Sequence, residues 1–296
     1  MGTLFVLIGG SLWGAMGIFV RGLAKCGLTS LEICFVRMFV SVILMGIYFL
    51  IFNREALRIK LKDIWIFIGS GVFSLTFFGY CYFTTIQMTS MSVAAVLLYT
   101  SPVFVLVLSA ILFKEKITNI KIISILIAIV GCVFVTGLIG QGGQSLPVLG
   151  ILLGLGSGLG YGLYSIFGRY AINRGYGAFT ITFYSFLFSV ATLLFIVNPV
   201  RIISAVLDDN IGSGTLINVS YAIGTALVVT ILPYIFYTLG LTKIENSKAA
   251  VIACIEPIMA TVFGFLIFSE KLRIYEIIGV LLVLSAIVLL SVSEKH

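Results

Sequence analysis

Long apolar stretches alternate along the chain with short polar ones. Residues 1–20, 64–113, 122–168, 175–200 and 211–242 contain no Asp, Glu, Lys or Arg. A membrane-crossing helix needs roughly 20 predominantly apolar residues, so 64–113 and 122–168 each hold two spans. The pattern predicts ten helices, at about 3–20, 31–52, 64–84, 93–113, 122–138, 148–168, 178–197, 217–239, 249–268 and 277–292. Connections are short. The longest, near 198–216, carries Arg201, Asp208 and Asp209. The turn-rich run from Gly140 to Pro147 divides the chain into two five-helix halves, 1–140 and 147–296.

The halves repeat one another. Ala94, Ala95, Val96, Pro102 and Glu115-Lys116 recur 155 residues later as Ala249, Ala250, Val251, Pro257 and Glu270-Lys271. The starts align as well. Gly10, Gly14, Ile18, Phe19 and Arg21 match Gly158, Gly162, Ile166, Phe167 and Arg169 at an offset of 148, with Trp13 opposite Tyr161. Five is odd, so the second half must enter the membrane from the opposite side. The expected fold is an all-α integral membrane bundle of two inverted five-helix repeats. Repeats of interrupted membrane helices are a common way to build secondary transporters.

Composition agrees. The chain of 296 residues is 60% hydrophobic and 10% charged, with mean hydropathy +1.22. Soluble domains carry about 25% charged residues. The first apolar segment lacks a basic leader region, so a cleaved signal peptide is not expected. The net charge of +7 is loop lysine and arginine, with no nucleic-acid partner implied. Twelve of the eighteen Lys and Arg residues fall on the N-terminal side and five on the other, which predicts a multi-pass protein of the cytoplasmic membrane with both termini inside. Cys26, Cys34, Cys81, Cys132 and Cys254 show no CxxC spacing and read as small hydrophobes. The only histidine is His296, which excludes a histidine relay or metal site within the membrane. No metal or other cofactor is expected. No GxxxxGK[ST] motif occurs, so transport would run on a gradient or by exchange.

The chain resembles the ten-helix EamA type of the drug/metabolite transporter superfamily. The resemblance lies in Gly10 to Gly17 with Trp13-Gly14, Arg37, Thr100-Ser101-Pro102-Val103 with Glu115-Lys116, and Glu256-Pro257-Ile258 with Glu270-Lys271. It covers essentially the whole chain. It implies export of amino acids or other metabolites, or uptake of small solutes. It also implies a central cavity between the first, third, fourth, sixth, eighth and ninth predicted helices. The fifth and tenth would be peripheral, with homodimer contact as one use.

Several residues stand out on their own. Pro102 and Pro257 lack an N–H, which would free the carbonyls of Leu98 and Ala253, so both are candidate cavity-lining hinges. Glu256 is the only carboxylate deep in an apolar helix, and Ser101 is its neutral repeat partner. An ionisable group at that depth defaults to function, here binding a substrate amine or carrying a coupling proton. Arg37 either snorkels to the interface or pairs with an acidic group or substrate carboxylate. Trp13, Tyr80, Tyr99, Tyr161, Tyr234 and Tyr237 are candidates to line a site for aromatic or cationic solutes. Tyr82 and Tyr164 lie in the same helices. Glu115 and Glu270 would each cap the helix that follows. The glycines of the first and sixth helices permit close packing, either static or sliding.

The expected function is alternating-access export of small amino acids or related amines. Uptake of a cationic or quaternary amine is the alternative within transport. A non-transporting receptor or an embedded enzyme is the alternative class, disfavoured because no nucleophile–base pair stands out.

Overall fold

The computed structural model describes residues 1–136, 138, 147–269 and 273–292. The 140–146 part of the linker, Glu270, Lys271, Lys295 and His296 lie outside the described residues. Among the described residues there are helices and no strands. Eight are long and apolar enough to cross a membrane: α1 (Gly2–Ala24), α2 (Ser30–Phe52), α3 (Leu61–Met88), α4 (Met91–Phe113), α6 (Val148–Asn173), α9 (Thr215–Leu241), α10 (Asn246–Phe268) and α11 (Ile274–Val292). Two shorter apolar helices are α5 (Asn119–Val135) and α7 (Ala178–Leu193). The stretch expected to be only a connection contains a further helix, α8 (Pro199–Leu207). Asn198 Oδ1 accepts from the N–H groups of Val200 and Arg201 and Pro199 opens the helix, so its N-terminus is locally satisfied.

A bilayer offers no water to backbone polar groups, which is why apolar segments of this length fold as helices. The irregular positions are therefore informative, and the two halves share them. α4 breaks at Tyr99–Thr100 and α10 at Cys254. Each break lies just before the repeated proline, which thus sits in the first turn of a new half-helix instead of in a helix interior. Both of these helices end on a left-handed residue, Lys114 at φ 60° and Ser269 at φ 55°. α3 and α9 each contain a π-helical segment, Gly69–Thr76 and Leu227–Ile231. In both, a threonine hydroxyl takes up the carbonyl five residues back: Thr76 to Gly71 at 3.1 Å, Thr230 to Thr225 at 2.9 Å. α1 breaks at Ala15, whereas its counterpart α6 runs unbroken.

The repeats are inverted. α1 starts where Gly2 meets Lys243 and Ile244. α6 starts at the other end, where Gly150 meets Thr89. α1 packs along α9 and α10, and α6 packs along α3 and α4. Each pair joins the two halves, so neither half buries its apolar faces alone. Glycines set the spacing. A Cβ on Gly14 would lie 2.9 Å from the Glu256 carbonyl, and one on Gly158 would lie 2.9 Å from the Leu97 carbonyl. α5 packs along α11, with Gly131 and Gly279 backbone to backbone. The small-residue face of α5 is thus used within the chain. Outward-facing Ile111, Leu126 and Leu281 are exposed, as suits a lipid-facing surface.

Polar contacts gather at the two ends of the bundle. At the Met1 end, buried Asp63 accepts from Arg174 at 3.0 Å and from the Tyr176 hydroxyl at 2.8 Å. Burial, together with the neighbouring Asp63 carboxylate, pushes the Tyr176 phenol up. At the opposite end Glu32 closes a capping box with Thr29 and pairs with Arg201. Glu115 departs from the expectation. It does not cap the following helix α5, whose first turn is held by Thr118. It caps α10 instead, accepting from Asn246 N at 2.9 Å and Ser247 Oγ at 2.7 Å. The chain turns back sharply after Lys114, which aims Glu115 at the other repeat.

Candidate functional site

The four helices at the centre each contribute one polar or aromatic face. On α6, Tyr161, Tyr164 and Ser165 follow i, i+3, i+4 spacing, and on α9 Tyr234, Tyr237 and Thr238 do the same. α3 presents Ser74 and Leu75 within its widened turns and Phe78 just after them. α1 presents Trp13 immediately before its break. Together they surround a void of about 10 Å³. That is room for about one water molecule, so the central site is closed in this conformation.

Trp13 is the hub. Its ring lies 5.0 Å from Tyr234, 5.4 Å from Tyr237 and 6.0 Å from Tyr161, edge-on or tilted. Such geometry suits the ring quadrupoles. The hydroxyls of Tyr161, Tyr164 and Tyr237 are paired in the interior. Tyr164 meets Thr238 at 2.9 Å, and Tyr237 meets Ser165 at 2.7 Å. Tyr161 donates to Glu256 Oε2 at 3.1 Å. Glu256 lies in the first turn of the second half of α10, where the helix dipole favours negative charge.

Trp13, Tyr161, Tyr234, Tyr237 and Glu256 therefore converge on one cluster, and Tyr99 is buried at the break in α4. Ser101 is buried in the first turn of the second half of α4. Tyr80 is not brought to the cluster. It is 50% exposed on the outer face of α3, because the inward face of that helix is the one carrying Ser74 and Phe78. Tyr164 was present in the sequence as a neighbour one turn from Tyr161, and the helical period was the signal for it. Ser74 and Phe78 had the same four-residue spacing but no distinguishing chemistry.

Pro102 and Pro257 are buried and lie outside the lining of the central void. The carbonyls they were expected to free face repeat-equivalent glycines. A Cβ on Gly158 would stand 3.2 Å from the Leu98 carbonyl, and one on Gly10 would stand 3.4 Å from that of Ala253. Glycine is what lets a neighbouring helix close over each break.

Arg37 does not snorkel. It is 4% exposed, and α9 packs against the helix that carries it. Its Nη1 donates to Met16 Sδ at 3.2 Å, and its buried Nε has no partner among the described residues. Among the described residues, the ion pairs are Lys121–Glu245, Arg174–Asp63 and Arg201–Glu32; none involves Arg37 or Glu256.

Beyond the void, towards the Met1 end, Arg169 holds Asn246 Oδ1 at 2.9 Å and also donates to the Ile244 carbonyl. A recess of about 540 Å³ opens there between Glu115, Arg169 and Lys243. Among the described residues no group of three or more His, Cys, Asp or Glu is placed to hold a metal ion.

Comparison with known proteins places this arrangement in context. A family model described as the EamA-like transporter family matches residues 1–137 and again 148–292. The chain is 25% identical over 288 residues to an uncharacterized transporter of Archaeoglobus fulgidus, covering 97% of this chain and 95% of that protein. It is 24% identical over 213 residues to the threonine/homoserine exporter RhtA of Salmonella typhimurium, covering 72% of this chain and 66% of RhtA. A crystal structure superposes with TM-score 0.80 at 14% identity, over 98% of this chain and 96% of that one, which shows a shared fold.

Proposed function

Because the chain belongs to the EamA-like transporter family, we propose that it exports a small amino acid or related amine-bearing metabolite by alternating access, as a secondary-active carrier. The observation that carries this reading is the Tyr161–Glu256 hydrogen bond, at the start of a broken half-helix and beside a closed aromatic cluster. A carboxylate there, with a phenol holding one oxygen, offers the other to an ammonium group. Half-helix starts near the bilayer midplane are where secondary transporters hold substrates and ions.

Alternating access needs two arrangements of similar energy. Inverted repeats supply them, because each half can adopt the other's conformation and reopen the site on the opposite face. The loop charges support the Met1 end as the cytoplasmic one and the cell membrane as the location. The name of the relative RhtA, a threonine/homoserine exporter, supports an amino-acid cargo and the outward direction. The Trp13 and tyrosine rings favour a second reading, uptake of a cationic or quaternary amine held by ring faces.

Proteoliposomes loaded with a panel of amino acids and amines, with and without a proton gradient, test both. Flux of one solute class that is lost in Glu256→Gln supports the site and its role. Equal flux at unchanged pH dependence removes Glu256 from the mechanism. Retained specific binding with no flux favours a receptor.

A further inference from the structure

We propose that Arg37 recognises a carboxylate on the transported solute, so that the site takes zwitterions with Glu256 holding the amine end. This inference rests on the reading of the central cluster as a transport site. It starts from a buried guanidinium and a part-buried carboxyl group that are not paired with each other. Arg37 is 4% exposed, and its side-chain partner among the described residues is a thioether, a weak acceptor. Its buried Nε has no partner among the described residues. Glu256 has one oxygen held by Tyr161. Among the described residues no ion pair joins them.

Leaving a guanidinium in this condition is costly, since buried charges are ordinarily paired and hydrogen-bonded. Arg37 has no such partner in α2, where its own helix carries the nearby Cys34 and Ser41. Ser41 spends its hydroxyl on the Arg37 carbonyl. A planar fork of donors matches a carboxylate. A solute with an ammonium and a carboxylate would answer both charges at once. A simple amine would answer Glu256 and leave Arg37 unpaired. Met16 follows the α1 break at Ala15, three residues beyond Trp13, so the guanidinium sits beside the one irregular point in α1. Movement there would exchange the thioether for a ligand oxygen.

The test uses the full chain in proteoliposomes and in detergent. The probes are L-threonine, L-alanine and L-phenylalanine, each beside its primary amide, which keeps the amine and loses the carboxylate. The readings are counterflow and ligand-induced shift in thermal unfolding. At least one acid is expected to outperform its amide by about 100-fold in half-saturating concentration. Arg37→Gln should bring that ratio near one, and Arg37→Lys should give an intermediate ratio. A merely structural arginine would change protein yield and leave the ratio untouched. If Arg37→Gln does not fold, the wild-type and Arg37→Lys ratios decide. Equal handling of acid and amide by the wild type overturns the role of Arg37 and leaves transport of amines standing. Neither flux nor thermal shift with any probe overturns both this inference and the proposed cargo.

Discussion

Glu115 caps a helix of the opposite repeat: its carboxylate accepts the Asn246 backbone N–H at 2.9 Å, across 131 positions of sequence. The same side chain takes the Ser247 hydroxyl, and Arg169 holds the Asn246 side chain from α6. Three segments from both repeats therefore meet at the Met1 end. For the central cluster to open on that side, these contacts must part.

Glu115→Ala should therefore do two things. Loss of the cap should lower stability in detergent by about 1–2 kcal/mol. It should also raise the rate at which a cysteine at position 165, between recess and void, is labelled from the Met1 side. All five native cysteines are buried, so the new thiol reports with little background. Unchanged labelling would mean that the cap has no part in closure.

Tyr161→Phe and Tyr80→Phe make a matched pair. The first deletes the donor to Glu256, a hydrogen bond to an ionisable group worth about 1.5–3 kcal/mol. Solute flux should fall about tenfold or more. The second removes a hydroxyl from a half-exposed ring on the outer face of α3, and flux should stay as in the wild type. Flux assays on both variants check the placement of the site directly.

Gly14→Ala and Gly17→Ala contrast two glycines one turn apart. A Cβ at Gly14 would fall 2.5 Å from Met259 Cβ and 2.8 Å from Ala260 N, in the turn that carries Glu256. Overpacking of that kind costs about 1–3 kcal/mol and should reduce flux as well. A Cβ at Gly17 meets nothing within 4 Å, so thermal unfolding should show little change.

Asp63→Ala should destabilise more than Arg201→Ala. Asp63 is 1% exposed and holds both Arg174 and Tyr176. Its loss removes two hydrogen bonds made to a buried acceptor, one of them from the part-buried Tyr176 phenol, at about 1–3 kcal/mol together. The Arg201 side chain is half exposed, and surface pairs contribute little and weaken with salt. Thermal unfolding at low and high ionic strength separates the two cases.

Much of the architecture was legible before any coordinates. Hydropathy and missing charge demanded membrane helices, since a bilayer forces backbone groups to pair within the segment. The 155-residue offset located the breaks in α4 and α10, because proline cannot continue a helix and both copies carry it. Glu256 stood out because a carboxylate in hydrocarbon is costly wherever its helix points.

Orientation within the bundle was not legible. Lipid-facing and core-facing positions are equally apolar, so hydropathy could not tell Tyr80, turned outward, from Tyr164, turned in. Nor could sequence spacing show that Glu115 would reach α10, or that Arg37 would be enclosed with a thioether for a neighbour. The sequence by itself determined that the chain is helical, membrane-embedded and built from two related halves, through local backbone chemistry and a repeated pattern. Only the tertiary structure decided which faces meet, because contacts between distant segments depend on how glycine-lined helices close over one another.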